Sequence, residues 1–166
     1  MMTRIISLIL FCTLLSSCLD PGKAKNPAKI VESMTLAMTK KNSSIPYSTF
    51  EDVKEMQTYI LVDVREDYER AVSTIPGSIS KKEFEQDKKK YIQHNVIVYC
   101  TIGVRSTEYA KTLLPEGFII SVLRGGVLGW AHAGKSFIDK DGKETNKVHV
   151  YSEAWNLLPE SYEGIF

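Results

Sequence analysis

Val96-Ile97-Val98-Tyr99-Cys100-Thr101-Ile102-Gly103-Val104-Arg105-Ser106 is the stretch that decides the fold. Its first half is apolar and β-branched, as a strand buried on both faces must be. The strand ends in a cysteine, a six-residue loop follows, and a helical pattern begins. A thiol therefore stands at the carboxyl end of a buried strand, against the amino end of a helix. In open α/β sheets that is the place where anions bind.

Working outward, Tyr59-Ile60-Leu61-Val62-Asp63-Val64 is a second buried strand, closed by the charged cluster Arg65-Glu66-Asp67. Ile75-Pro76-Gly77-Ser78-Ile79 reads as a turn entering a short extended piece. Lys81 to Lys90 is a charge run, the solvated face of a helix anchored by Phe84. Downstream, Tyr109, Ala110, Leu113 and Leu114 mark a helix stopped by Pro115 and Gly117. Phe118 to Leu123 is a third strand, broken by Gly125-Gly126, and Val127 to Ala131 opens another helix. Ser48-Thr49-Phe50-Glu51 fits a capping box, which starts a helix running to about Gln57. Strands alternating with helices predict an α/β domain whose central, mainly parallel sheet carries helices on both faces.

The two ends read differently. Arg4, an apolar run from Ile5 to Leu15 and then Ser16-Ser17-Cys18 form an export signal, too short to span a bilayer comfortably. Leu15-Ser16-Ser17-Cys18 resembles the lipobox of bacterial lipoproteins, which implies cleavage after residue 17 and acylation of Cys18; the alternative is ordinary cleavage near Ser17 with Cys18 left as a spare thiol. A lipoprotein is anchored to the cell envelope through lipid on Cys18, facing the periplasm or the exterior. Leu19 to Pro27 reads as a tether, and Ile30, Met34, Ala37 and Met38 recur at helical spacing before the polar break Lys40 to Ser44. After Ala133, Asp141-Gly142 between Phe137-Ile138 and Thr145 suggests a hairpin. Val148, Val150, Trp155, Leu157 and Leu158 are the apolar anchors of an extension packed on the domain, with no legible function. The expected division is thus 1–17 signal, 18–44 tether and short helix, 45–133 domain, and 134–166 extension.

Charge and cysteine counts narrow the function. The chain has 21 basic and 20 acidic side chains, and cleavage before Cys18 removes Arg4 alone, leaving the signs equal. That balance points away from nucleic acid. Of the three cysteines, Cys12 leaves with the signal and Cys18 is capped, so Cys100 keeps a free thiol and no structural disulfide is expected.

Four pieces, taken together and in order, resemble the rhodanese family. They are Asp63-Val64-Arg65-Glu66, Ile75-Pro76-Gly77-Ser78-Ile79, Cys100 to Ser106, and Leu123-Arg124-Gly125-Gly126 followed by Trp130. The resemblance covers roughly Pro46 to Ala133. Thr74 departs from it, since many members carry histidine there. Membership implies a single-domain sulfurtransferase: Cys100 attacks the outer sulfur of thiosulfate or a related sulfane donor and holds it as a persulfide. A thiol or cyanide then accepts the sulfur. It further implies that Asp63 and Arg65 organise the rim of the site.

The residues themselves support that chemistry. A loop curled around a thiol aims backbone N–H groups at sulfur, and the following helix adds its positive end; both favour thiolate. Thr101, Ile102, Gly103, Val104, Arg105 and Ser106 form this loop. Gly103 permits the tight curl, and the Arg105 fork suits an oxyanion such as that of thiosulfate, a reading favoured over a surface salt bridge by its position within the loop. Ser106 caps the helix or touches substrate. Asp63 and Arg65 are read as support, with an Arg65–Glu69 pair available at helical spacing. Arg124 ends the third strand on the same edge and could add positive potential at the mouth. No metal, cofactor or histidine base is called for, His94, His132 and His149 being scattered, and a monomer is expected.

A cysteine phosphatase is the rival enzyme. It needs five residues between cysteine and arginine, whereas four, Thr101 to Val104, stand between Cys100 and Arg105, and Tyr99 occupies that class's histidine position. The rival from another class is a non-catalytic module that carries a persulfide or binds an anion or partner.

Overall fold

The computed structural model describes residues 26–56 and 58–166. The expected signal, Cys12, Cys18 and the start of the tether lie outside them. Five strands form one parallel sheet: β1 (Tyr47–Ser48), β2 (Ile60–Asp63), β3 (Ile79–Ser80), β4 (Asn95–Tyr99) and β5 (Ile119–Leu123). Their order is β1-β5-β4-β2-β3, which puts β4 at the centre. Val98 pairs with Val62 on one side and Val122 on the other. Helices connect the strands: α2 (Phe50–Glu55), α3 (Asp67–Val72), α4 (Lys81–Gln86), α5 (Val104–Leu113) and α6 (Gly126–His132). Helix α1 (Pro27–Lys41) precedes them. The α/β architecture read from the alternation of elements is the observed one.

Alternation along β4 splits the core in two. Val96, Val98 and Cys100 face a cluster with Val62, Phe84, Ile120 and Val122. Ile97 and Tyr99 face Leu61, Leu123, Val127 and Leu128. Phe84 anchors the Lys81–Lys90 run as expected, fully buried and stacked on Tyr91 with ring centroids 5.5 Å apart. That run is not one helix, however. Asp87 leaves helical geometry (φ −147°, ψ 40°), and Lys88–Tyr91 continues as a 3-10 turn.

One local detail corrects the sequence reading. The capping box of α2 sits one residue later, with Thr49 and Asp52 exchanging bonds, and the helix closes at Glu55. Its aspartate reaches the backbone as readily as a longer acid would. Beyond α6, the extension makes a hairpin of β6 (Phe137–Ile138) and β7 (Glu144–Thr145), with Gly142 at φ 76° in the turn. A parallel pair then follows, β8 (Lys147–His149) and β9 (Glu163–Ile165). Phe137, Val148, Val150 and Leu157 are buried in the Tyr99 half of the core. The extension therefore completes one core of the domain.

Candidate active site

Cys100 leaves the end of β4 with its side chain 2% exposed, at the floor of an open cleft. Gly103 N–H donates to its Sγ at 3.1 Å. Gly103 has φ 122°, a backbone region that side chains avoid, and this turns the loop back onto the sulfur. The Ser106 hydroxyl lies 3.6 Å from Sγ and 3.1 Å from the Gly103 carbonyl, two acceptors that compete for its one proton. Ser106 thus touches the thiol rather than capping the helix. Among the described residues, one amide and one hydroxyl approach the sulfur where a nest of several loop amides was expected.

The Leu123-Arg124-Gly125-Gly126 motif supports the loop from behind. Val127 and Leu128 N–H groups, at the start of α6, donate to the carbonyls of Cys100 and Thr101 at 3.0 and 3.1 Å. A side chain at Gly126 would put Cβ 2.1 Å from the Cys100 carbonyl oxygen, so glycine there is a contact requirement. Arg124 itself does not reach the mouth. It does not line the cleft, and its charge acts on Asp52 of α2.

Arg105 is engaged differently from expectation. Its Nη1 and Nη2 donate to both oxygens of Glu69 at 2.5 and 2.8 Å, and Nη2 also reaches Thr101 Oγ1 at 3.1 Å. The fork anticipated for a substrate oxyanion is held by protein. Its side chain remains 33% exposed, whereas Glu69 is fully buried. Burial works to raise the Glu69 carboxyl, but the bonds from Arg105 and from Glu66 N–H prevail and hold it below the usual range. Arg105 is held above its ordinary value, first by the bond to Glu69 and also by the nearby Cys100. Glu69 is therefore not the partner of Arg65, as the helical spacing had suggested.

Arg65 pairs with Asp63 instead. Its Nε and Nη2 grip both carboxylate oxygens at 2.7–3.2 Å, and Nη2 donates to the Ser73 carbonyl at 2.7 Å. Both side chains are fully buried and neither lines the cleft, a supporting geometry. Tyr99 helps in the same way: its hydroxyl accepts Ile75 N–H at 3.2 Å and bonds Ser78 Oγ at 2.8 Å, pinning the Ile-Pro-Gly turn to β4. Thr74 exchanges backbone bonds with Ile138 at 2.8 and 3.0 Å, tying that turn to the extension.

Three further residues come from the extension and were not singled out for the site beforehand. Tyr151 and Trp155, with Cys100, Thr101, Ile102, Val104 and Arg105, line a cleft of about 230 Å³. Tyr151 lies beneath the Arg105 guanidinium, 5.8 Å from ring centre to Cζ. Its backbone is left-handed (φ 73°), and its N–H donates to His149 Nδ1 at 3.1 Å. Nδ1 of His149 is accordingly the unprotonated nitrogen, 3.7 Å from Glu69 Oε1. No local pattern announces these contacts, because β8 meets α3 only through the fold.

A family model described as rhodanese-like domain matches residues 48–133. Curated relatives include a tRNA uridine(34) hydroxylase of Acinetobacter baumannii, 29% identical over 127 residues, which cover 61% of this chain and 40% of that protein. Another, from Synechocystis, is 35% identical over 80 residues, covering 42% of this chain and 28% of its own length. The chain thus spans two fifths or less of these relatives. A rhodanese-related protein of Thermoplasma volcanium superposes with a TM-score of 0.50 at 26% identity, covering 56% of this chain and 97% of its own. A thiosulfate sulfurtransferase of Pseudomonas aeruginosa gives 0.52 at 23% identity, covering 71% and 23%, a likeness of fold.

Proposed function

The chain belongs to the rhodanese-like family, and from that premise we propose that it is a sulfurtransferase working through a persulfide on Cys100. One observation carries the reading: the sulfur sits at the floor of an open cleft with an amide and a hydroxyl aimed at it. In the first step the Cys100 thiolate attacks the outer sulfur of a sulfane donor. A bond forms between the two sulfurs, the donor's own sulfur–sulfur bond breaks, and its electron pair leaves with the remainder, as sulfite if the donor is thiosulfate. Gly103 N–H and the Ser106 hydroxyl hold the anionic sulfur throughout. In the second step a thiol or cyanide attacks the persulfide's outer sulfur and regenerates the thiolate.

Residues 45–133 are the transferring domain in this reading, 18–44 the tether and helix, and 134–166 the packed extension. The Leu15-Ser16-Ser17-Cys18 pattern supports an exported lipoprotein, acylated on Cys18 and held at the cell envelope. Phase partitioning into detergent, abolished by Cys18→Ala, tests the anchor; wild-type protein found wholly in the aqueous phase overturns it.

Mass spectrometry tests the chemistry. Treated with a sulfane donor, the protein should gain the mass of one sulfur atom on Cys100 and lose it on addition of cyanide or a thiol. Cys100→Ser should show neither gain nor turnover. A variant that turns over undiminished overturns the mechanism. Loading without release to any acceptor makes the protein a persulfide carrier.

A further inference from the structure

We infer that Tyr151 and Trp155 of the extension select the donor: a singly charged organic sulfane compound with an apolar substituent, rather than dianionic thiosulfate. This rests on the persulfide reading and deepens it. Two features of the cleft carry the inference. Its cation, Arg105, is already neutralised by the fully buried Glu69, so a dianion entering beside the thiolate meets no uncompensated positive charge within the lining. Apart from Cys100 and Thr101, its walls are otherwise Ile102, Val104, Tyr151 and Trp155, of which Val104 and Tyr151 are more than half exposed to an arriving molecule.

Aromatic walls reward a substituent they can cover, and inorganic thiosulfate has none to offer. Tyr151 is also held in place at a cost. A tyrosine in the left-handed region is strained, and the bond from its N–H to His149 fixes it there, facing the cleft. Ion pairing of Arg105 with Glu69 keeps the guanidinium over the Tyr151 ring. The donor is then R–SO₂–S⁻ or R–S–S⁻. The Cys100 thiolate attacks the terminal sulfur, the donor's sulfur–sulfur bond breaks, and a sulfinate or a thiolate departs with the electron pair while R lies between Tyr151 and Trp155. Charge is conserved, and no oxidant or reductant is required.

The test compares benzenethiosulfonate with thiosulfate as donors to the full chain, reading the rate of sulfur loading on Cys100. The two differ by one phenyl group in place of one oxyanion. Wild type should load from benzenethiosulfonate at least tenfold faster per unit concentration. In Trp155→Ala the ratio of the two rates should fall about tenfold, and Trp155→Phe should recover most of it. Tyr151→Leu, at an exposed position where folding is not at risk, should lower the same ratio several-fold. Equal rates for the two donors, or losses shared equally between them in the variants, overturn the selection while leaving persulfide chemistry standing. Failure of both donors to load wild-type Cys100 overturns the underlying reading as well.

Discussion

Two arginine–carboxylate pairs stand at the carboxyl ends of neighbouring strands and do opposite things. Arg65 and Asp63, at the end of β2, are both fully buried and bound on two edges, with a carbonyl taking another donor. Arg105 and Glu69, beyond β4, are also held at two points, through Nη1 and Nη2 where Arg65 uses Nε and Nη2, yet the guanidinium is one-third exposed and forms part of a cleft wall. Identical chemistry at different depth becomes scaffold in one place and site in the other. A buried charge has no alternative to its partner, whereas a half-exposed one can trade partner for solvent or ligand.

The comparison breaks most sharply at Asp63. Asp63→Ala strands the Arg65 guanidinium, one nitrogen of which already lacks a bond. Breaking a buried pair from one side costs about 3–5 kcal/mol, to be read from urea denaturation. The double variant Asp63→Leu/Arg65→Met should lose less, because the fully buried guanidinium goes with its carboxylate and only the partly exposed Arg70, 3.7 Å from Asp63, loses a counter-ion. Equal losses in the single and double variants would mean that Arg65 matters by shape rather than charge.

Glu69→Gln probes the other pair, with a smaller cost of stability and a larger effect on chemistry. The amide keeps one acceptor toward Arg105 and removes the negative charge. The loss should be about 1–2 kcal/mol, less than at Asp63 because Arg105 retains access to water. The freed positive charge should speed loading from thiosulfate several-fold relative to benzenethiosulfonate. If thiosulfate gains nothing, neutralisation by Glu69 is not what disfavours the dianion.

The same contrast explains what could be read in the sequence. The β4 strand, its cysteine and the loop were legible because periodicity, β-branching and a glycine before a helix are local signals. Gly126 was recognised through its motif, though only the fold reveals that it faces the Cys100 carbonyl. The two arginines were both marked, but their carboxylates were not assigned correctly: Glu69 lies four residues from Arg65 and 36 from Arg105, and helical spacing favoured the nearer. That spacing fails because Arg65 precedes α3, so it does not share a helical face with Glu69. Tyr151, Trp155 and His149 were visible as an apolar tail with a histidine. Their place beside Cys100 depends on the docking of β8 against α3, a long-range contact with no periodic signature.

The mildest effect is expected at His149, which links the second pair to the aromatic wall. Burial lowers its pKa foremost; Glu69 pulls it up, Arg65 and Arg105 push it down, and the net position is below the ordinary value. The unfolded chain therefore takes up a proton first as pH falls through about 6.5. Stability is complete above that value, declines below it, and levels off once the folded state is protonated as well. Glu69 acts in a separate, more acidic window, since its lowered carboxyl costs stability only as pH falls below the usual glutamate range. Between roughly pH 7.5 and 5.5 the melting temperature should thus fall because of His149, by less than Glu69→Gln lowers it at neutral pH. Donor preference should change with it. A proton on Nδ1 removes the acceptor for Tyr151 N–H, the left-handed backbone at Tyr151 loses its restraint, and selection for benzenethiosulfonate weakens. His149→Asn offers an amide oxygen to the same N–H without titrating, so both dependences should flatten in that variant. An unchanged slope in His149→Asn would assign the acid sensitivity to another group and detach Tyr151 from the pH of its surroundings.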